Sequence, residues 1–223
     1  MSGIKLTKRL AAAAQAVRQG KRAADVGCDH GKLCAFLVTS GIASFCVATD
    51  INEKPLAKAE KLFSELGITD RTKTMLCDGL RGLKPGEVDD VVIAGLGFDT
   101  IAGIIEDAPW LKDADKGLVL VPSTRHGQLR KWLYANGFVI TGETAVFEKG
   151  HCYTVMSVQY SGHCQEIDPG FAAVGMITAE TVDGARYIER ERARAKKIAV
   201  AASGKRRDDA AIAVGYMEKE LNK

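Results

Sequence analysis

Short apolar runs alternate with amphipathic helical patterns through most of this chain, and that alternation constrains the fold more than any other feature. Arg22–Val26 ends at Gly27 and leads into a helical stretch from Gly31 to Ser40. Ser44–Thr49 ends at Asp50 and precedes the amphipathic segment Glu53–Leu66. A third run, Lys73–Leu76, closes in Cys77-Asp78-Gly79. Asp90–Ala94 closes in Gly95-Leu96-Gly97 before a helical Thr100–Asp107, and Gly117–Val121 is followed by His126–Asn136. Strands separated by helices require a parallel sheet covered on both faces. Phe138–Val146 and Tyr153–Tyr160 break the rhythm, because only Glu148-Lys149-Gly150 lies near their junction. Two strands so closely joined are adjacent and antiparallel.

The ends of the chain have another character. Thr7 to about Gln19 is an alanine- and leucine-rich helical pattern, with Gly20 as its stop. After Gly162, His163–Gly170 reads as a linker containing Pro169. Ala179–Ala202 is a long helical pattern broken at Ser203-Gly204, and Arg207–Leu221 is a second. Frequent Ala and Gly let these two helices pack closely as a hairpin. The expected organisation is an α/β Rossmann-like unit over residues 1–161, with the basic helix at its start, and a coiled-coil-like helical unit over 162–223. A parallel sheet finished by one antiparallel strand is the arrangement expected of class I methyltransferases, whereas a dehydrogenase sheet ordinarily stays parallel.

At 223 residues the chain can bury one substantial core and carry a small appendage. Its 46% hydrophobic content is that of an ordinary globular protein. No apolar run approaches the ~20 residues of a membrane span, and the basic N-terminus has no export pattern. Six cysteines form no Cys-x-x-Cys pair, so reduced core thiols in a cytoplasmic protein are expected rather than a metal site or disulfides. A monomer is expected. The net charge of +3 conceals a segregation. Residues 1–22 contain basic groups and no acid, and residues 186–207 carry nine basic side chains against Glu189 and Glu191. The segment between them is acidic overall. A polyanionic partner would therefore meet the two ends, although a solvated helix face would have the same charge pattern.

Four features fall at strand ends, on the sheet edge where α/β proteins bind ligands. Asp25-Val26-Gly27-Cys28-Asp29-His30-Gly31 follows the first strand; its glycines allow close backbone approach, and the helix start behind it favours an anionic group. The loop is not G-x-G-x-x-G, which disfavours a dinucleotide cradle. Asp50, followed by Ile51, can accept two ribose hydroxyls or simply cap the next helix. Asp78-Gly79 can take an adenine amino group or be only a turn. Gly95-Leu96-Gly97 leaves an opening without side chains, or serves as a packing turn. The combination points to an S-adenosyl-L-methionine site formed by Asp25, Gly27, Cys28, Asp29, Gly31, Asp50, Ile51, Asp78, Gly79 and Gly95.

The chain resembles the bacterial tRNA (adenine-22-N1)-methyltransferase family, often called TrmK. The matching segments are Leu6-Thr7-Lys8-Arg9-Leu10, Ala24-Asp25-Val26-Gly27-Cys28-Asp29-His30, Ile93-Ala94-Gly95-Leu96-Gly97, and Leu129-Arg130-Lys131-Trp132-Leu133 with Asn136-Gly137-Phe138. The match covers roughly residues 4–160 well and the rest in outline. Two positions depart from the family pattern: Phe98 stands where a second glycine is usual, and Gly31-Lys32-Leu33-Cys34 replaces Ala-Tyr-Leu-Pro.

The resemblance implies a Rossmann-like catalytic unit with a helical C-terminal appendage that methylates N1 of adenine 22 in the tRNA D-arm. Phosphate contacts would come from Lys8, Arg9, Arg190, Arg194 and Lys197. The target base would enter beside Gly97 and Phe98, with Phe98 or Tyr153 as stacking platforms unless these aromatics are core. Methyl transfer from an activated sulfonium depends chiefly on positioning. Asp29 is the candidate catalytic acid or base and His30 a second; Asp29 could equally hold the cofactor's amino group. An RNA-binding module with a vestigial cofactor fold, another RNA base or a small-molecule acceptor are the competing functions.

Overall fold

The computed structural model describes residues 3–223. Seven strands form one sheet: β1 (Lys21–Val26), β2 (Ala43–Asp50), β3 (Thr72–Leu76), β4 (Asp90–Ala94), β5 (Gly117–Val121), β6 (Phe138–Glu148) and β7 (His151–Tyr160). Their spatial order is β3-β2-β1-β4-β5-β7-β6. The first five are parallel, and β7 runs antiparallel to both β5 and β6. The single reversed strand is thus last in sequence but second from the sheet edge, because β6 crosses to the outside before β7 returns. That return delivers the beginning of β7 to the edge where the parallel strands end.

Helices α1 (Lys8–Ala16), α2 (Lys32–Thr39) and α3 (Glu53–Glu65) cover one face, and α4 (Phe98–Glu106) and α5 (His126–Ala135) the other. Both faces are therefore buried, which is why β4 and β5 read as continuous apolar runs and not as alternations. Thr7 caps α1, as its position before the first helical turn predicts. The helix stops at Ala16, short of Gln19, because Arg18 turns inward. Its backbone N–H and Nε donate to the Asp90 carboxylate at 2.8 and 2.7 Å, and Asp90 is 1% exposed. This pair fastens α1 to the amino end of the sheet, opposite the ligand edge.

The C-terminal part contains three helices rather than a linker and two. The stretch read as a linker ends in α6 (Pro169–Val174), where Asp168 caps the first turn and Pro169 occupies the position that needs no N–H. α7 (Val182–Ala201) and α8 (Lys205–Leu221) form the hairpin, closed over Ala195, Ala213 and Met217. Gly170 lets α6 sit directly on α8: a Cβ there would lie 2.4 Å from the Tyr216 ring. Cys28, Cys34 and Cys46 are buried free thiols; Cys77 and Cys152 are only half-buried and Cys164 is exposed, so core placement holds for three of the six. Among the described residues no helix is long and apolar enough to cross a membrane.

Candidate active site

The strand order reverses between β1 and β4, so the loops after these strands part on opposite sides of a crevice at the carboxyl edge. A cavity of about 330 Å³ opens there, within the range of small-ligand sites. Gly27, Asp29, Asp50, Ile51, Asp78 and Gly79 line it, as their positions at strand ends predict. Thr49, Asn52, Pro55, Cys77, Leu96, Thr100 and Ile104 line it too and carry no sequence signal that distinguishes them from core or turn residues. Four other candidates shape the site from behind. Asp25 and Cys28 are buried, at 5% exposure each, and Gly31 and Gly95 lie in the flanking turns.

Gly31 sets the loop's path. It has φ of +67°, and a Cβ would meet Ala59 Cβ at 2.6 Å and Phe63 Cζ at 2.9 Å, so α2 and α3 close around a residue without a side chain. Gly27 and Cys28 donate their N–H groups to Thr49 O at 2.9 and 3.1 Å, which ties the first loop to the end of β2. Asp50 does not cap α3. That position belongs to Asn52, and Asp50 Oδ1 accepts from its N–H and Nδ2 at 2.8 and 3.2 Å. Among the described residues its second oxygen forms no bond of this kind, which leaves an acceptor at the cavity wall. Asp78 is exposed and paired to Arg81 at 3.0 Å.

Three carboxylates, Asp25, Asp29 and Asp50, converge on this loop. Burial, followed by the charges of Asp29 and Asp50, raises Asp25 from the ordinary carboxylate range to about 7. A cationic ligand would relieve that repulsion. The donor set therefore fits S-adenosyl-L-methionine, with its sulfonium and ammonium groups, better than an anionic dinucleotide.

Asp29 has φ of +34°, a backbone region in which Asp is among the better-tolerated side chains. Its carboxylate is 92% exposed and 2.8 Å from His30 Nδ1. Lys58 Nζ lies 3.1 Å from His30 Nε2. An ammonium can only donate, so Nε2 accepts and Nδ1 carries the proton given to Asp29. His30 is thereby engaged on both nitrogens. It does not line the cavity, and it orients Asp29 rather than standing free to take a proton. Lys58, on the exposed face of α3, was not distinguishable in sequence from any solvated lysine.

A second and larger cleft, about 700 Å³, lies between the carboxyl edge of the sheet and α7. Arg190, Arg194 and Lys197 line it from α7, together with Ser123, Thr124, Arg125 and His126 after β5 and His151 and Tyr153 on β7. Arg9 stands beside it, its guanidinium carbon 5.0 Å from the Tyr153 ring centre. Lys8 is exposed on α1 and lines neither cavity. Phe98 also lines neither: it packs on the core, with the Arg125 guanidinium carbon 5.9 Å from its ring centre. Tyr153, rather than Phe98, is the aromatic that faces the basic cleft. Gly97 begins α4 close to Thr124, and the loops after β4 and β5 are joined where Ser123 N–H donates to Leu96 O at 2.8 Å.

Comparison with known proteins agrees with this geometry. A methyltransferase-domain family profile matches residues 6–156. A Bacillus subtilis tRNA (adenine(22)-N(1))-methyltransferase is 30% identical over 177 residues, covering 79% of this chain and 74% of the relative. A Mycoplasma pneumoniae protein named as a candidate tRNA methyltransferase is 34% identical over 159 residues, covering 69% and 71%. Among solved structures, a Streptococcus pneumoniae candidate tRNA (m1A22) methyltransferase in complex with S-adenosyl-L-methionine has a TM-score of 0.81 at 27% identity, over 97% of this chain and 100% of the other. The chain belongs to the tRNA (adenine-22-N1)-methyltransferase family of S-adenosyl-L-methionine-dependent methyltransferases.

Proposed function

We propose that this protein methylates N1 of an adenine in tRNA, adenosine 22 of the D-arm being the position its family membership indicates, and that residues 1–161 form the catalytic unit and 162–223 a helical unit that adds basic residues to the RNA-binding cleft. One observation carries the reading. An acidic cavity suited to a cationic methyl donor and a basic cleft suited to a polyanion lie on adjoining loops of one sheet edge.

When bound, the cofactor supplies a methyl group already activated by its sulfonium. The protein's task is to position and to stabilise charge. Asp50 would accept from the ribose hydroxyls, Asp78 and Gly79 would border the adenine, and Asp25 would balance the donor's positive charge. Arg190, Arg194 and Lys197 would hold RNA phosphates, and Tyr153 would offer its ring to an unstacked base. Attack by N1 makes the adenine cationic. The Asp29 carboxylate, oriented by His30, would stabilise that cation or accept the amino-group proton.

Incubation with labelled cofactor and bulk bacterial tRNA, then digestion and mass spectrometry of nucleosides, tests the reading. Label in 1-methyladenosine at one D-arm position is expected. Label in another nucleoside, or transfer only to small metabolites, overturns it.

A further inference from the structure

Arg125 lines the basic cleft in an unusual backbone conformation. Its backbone is left-handed, with φ of +55° and ψ of 44°, at the start of α5, where it provides no side-chain cap. Glycine or asparagine would adopt that conformation more readily, so backbone geometry does not explain an arginine. The next residue fixes the turn in space: His126 Nδ1 lies 3.0 Å from the Tyr187 hydroxyl on α7. The arginine side chain then reaches the first turn of α4. Its Nη1 donates to Asp99 Oδ1 at 3.0 Å and Nη2 reaches Asp99 Oδ2 at 2.7 Å, a two-pronged pair. The same guanidinium lies over Phe98.

This ion pair is exposed, at 48% for Arg125 and 66% for Asp99, and exposed pairs are readily exchanged for other partners. Arg125 also lines both the cleft with Arg190, Arg194 and Lys197 and an adjoining cleft of about 770 Å³ that contains Lys131, Lys205 and Arg206. A phosphate entering either cleft presents a pair of anionic oxygens that a planar guanidinium fork can bind in two-pronged fashion. We infer that Arg125 is a positioning residue for RNA: Asp99 holds its fork across Phe98 while the cleft is empty, and a backbone phosphate displaces Asp99 when RNA arrives. The exchange withdraws the guanidinium from the Phe98 ring. The inference rests on the proposed tRNA substrate.

The sign of one substitution tests it. Asp99→Asn removes the competitor, so tRNA affinity should rise by about two- to fivefold, the range of an exposed ion pair. Arg125→Ala should weaken tRNA binding and reduce the salt slope of log K by about one, the signature of one lost phosphate contact. Arg125→Lys should restore the slope but not the full affinity, since it keeps the charge without the fork. The double variant should behave as Arg125→Ala, because Asp99 acts through that arginine. S-adenosyl-L-methionine affinity is measured in parallel and should stay unchanged. If Asp99→Asn weakens tRNA binding as Arg125→Ala does, the pair is a structural brace and the inference fails. If the wild-type protein binds the cofactor but no tRNA, the substrate assignment fails instead.

Discussion

The Arg130 guanidinium and the Glu143 carboxylate meet at 2.7 Å with neither side chain exposed to solvent. Arg130 Nη1 also donates to Ala172 O and Ala173 O at 2.9 Å each, and Nη2 to the Tyr187 hydroxyl at 3.0 Å. Glu143 accepts from Thr154 and from the Met176 N–H. Burial alone would lower the Arg130 pKa; the Glu143 charge and the hydrogen bonds that Arg130 donates to Glu143 and Tyr187 outweigh it and keep the guanidinium charged. The network holds α6 and α7 against the sheet.

Breaking that pair from one side leaves a buried charge without its partner. Glu143→Gln should cost about 3–5 kcal/mol, a fall in Tm of roughly 6–20 °C for a chain of this size, read by thermal denaturation. The double variant Arg130→Met/Glu143→Leu should recover most of the loss, because no charge is left unpaired. Equal destabilisation by single and double variants would show that packing, not charge, dominates there.

Asp25 should make cofactor binding depend on pH. Its carboxyl titrates at about 7 in the folded protein, raised by burial and by Asp29 and Asp50. A cationic ligand favours the ionised form, so binding releases a proton, and affinity should rise with pH until it levels above about 7. Below that value, affinity should fall by up to about tenfold per pH unit. Stability without ligand should move the opposite way. The raised carboxyl favours the folded state fully below the unfolded value near 4, and this contribution is lost as pH rises through about 7. Calorimetric titrations and melts between pH 5.5 and 8.5 at constant ionic strength, in buffers chosen for that purpose, test both. Asp25→Asn should flatten both profiles.

Asp29→Asn separates the two roles open to that residue. If Asp29 serves the reacting base, cofactor affinity should stay within about threefold while methyl transfer falls by roughly 10²–10⁴-fold. Equilibrium binding and single-turnover transfer measure the two quantities. Collapse of cofactor binding would assign the carboxylate to the donor's amino group instead. His30→Gln should produce a smaller loss in the same direction, because His30 acts through Asp29.

The basic cleft should account for the salt dependence of RNA binding. Replacing Arg190, Arg194 and Lys197 together by alanine should weaken tRNA binding by about 10–10³-fold at moderate salt and lower the slope of log K against log salt by about 2–3. Cofactor binding should be unaffected. All three side chains are exposed on α7, so stability should change little.

Much of this architecture was legible because it depends on short-range chemistry. β4 and β5 end where the apolar runs end, and Thr7 caps the first helix. Six of the ten cofactor candidates line the cavity, since ends of parallel strands lie on one edge in any such sheet. Long-range contacts were not legible. Arg130 lies in a segment matched to the family, yet its burial against Glu143 depends on α6 and α7 folding back over the sheet. Phe98 and Tyr153 were indistinguishable as aromatic platforms until Arg125 covered one and the cleft received the other. Lys58 meets His30 only because α3 packs beside the first loop.

By itself, the sequence determined the order of strands and helices through β7, the first loop and the charge at both ends. All three follow from periodicity, glycine placement and composition, which are local properties. The tertiary structure alone decided that three carboxylates converge to raise Asp25, that His30 is spent on Asp29 and Lys58, and that Arg125 reaches from the basic cleft to Asp99 on α4. Those relations depend on distances between segments far apart in the chain, which are set only when the sheet and its covering helices pack.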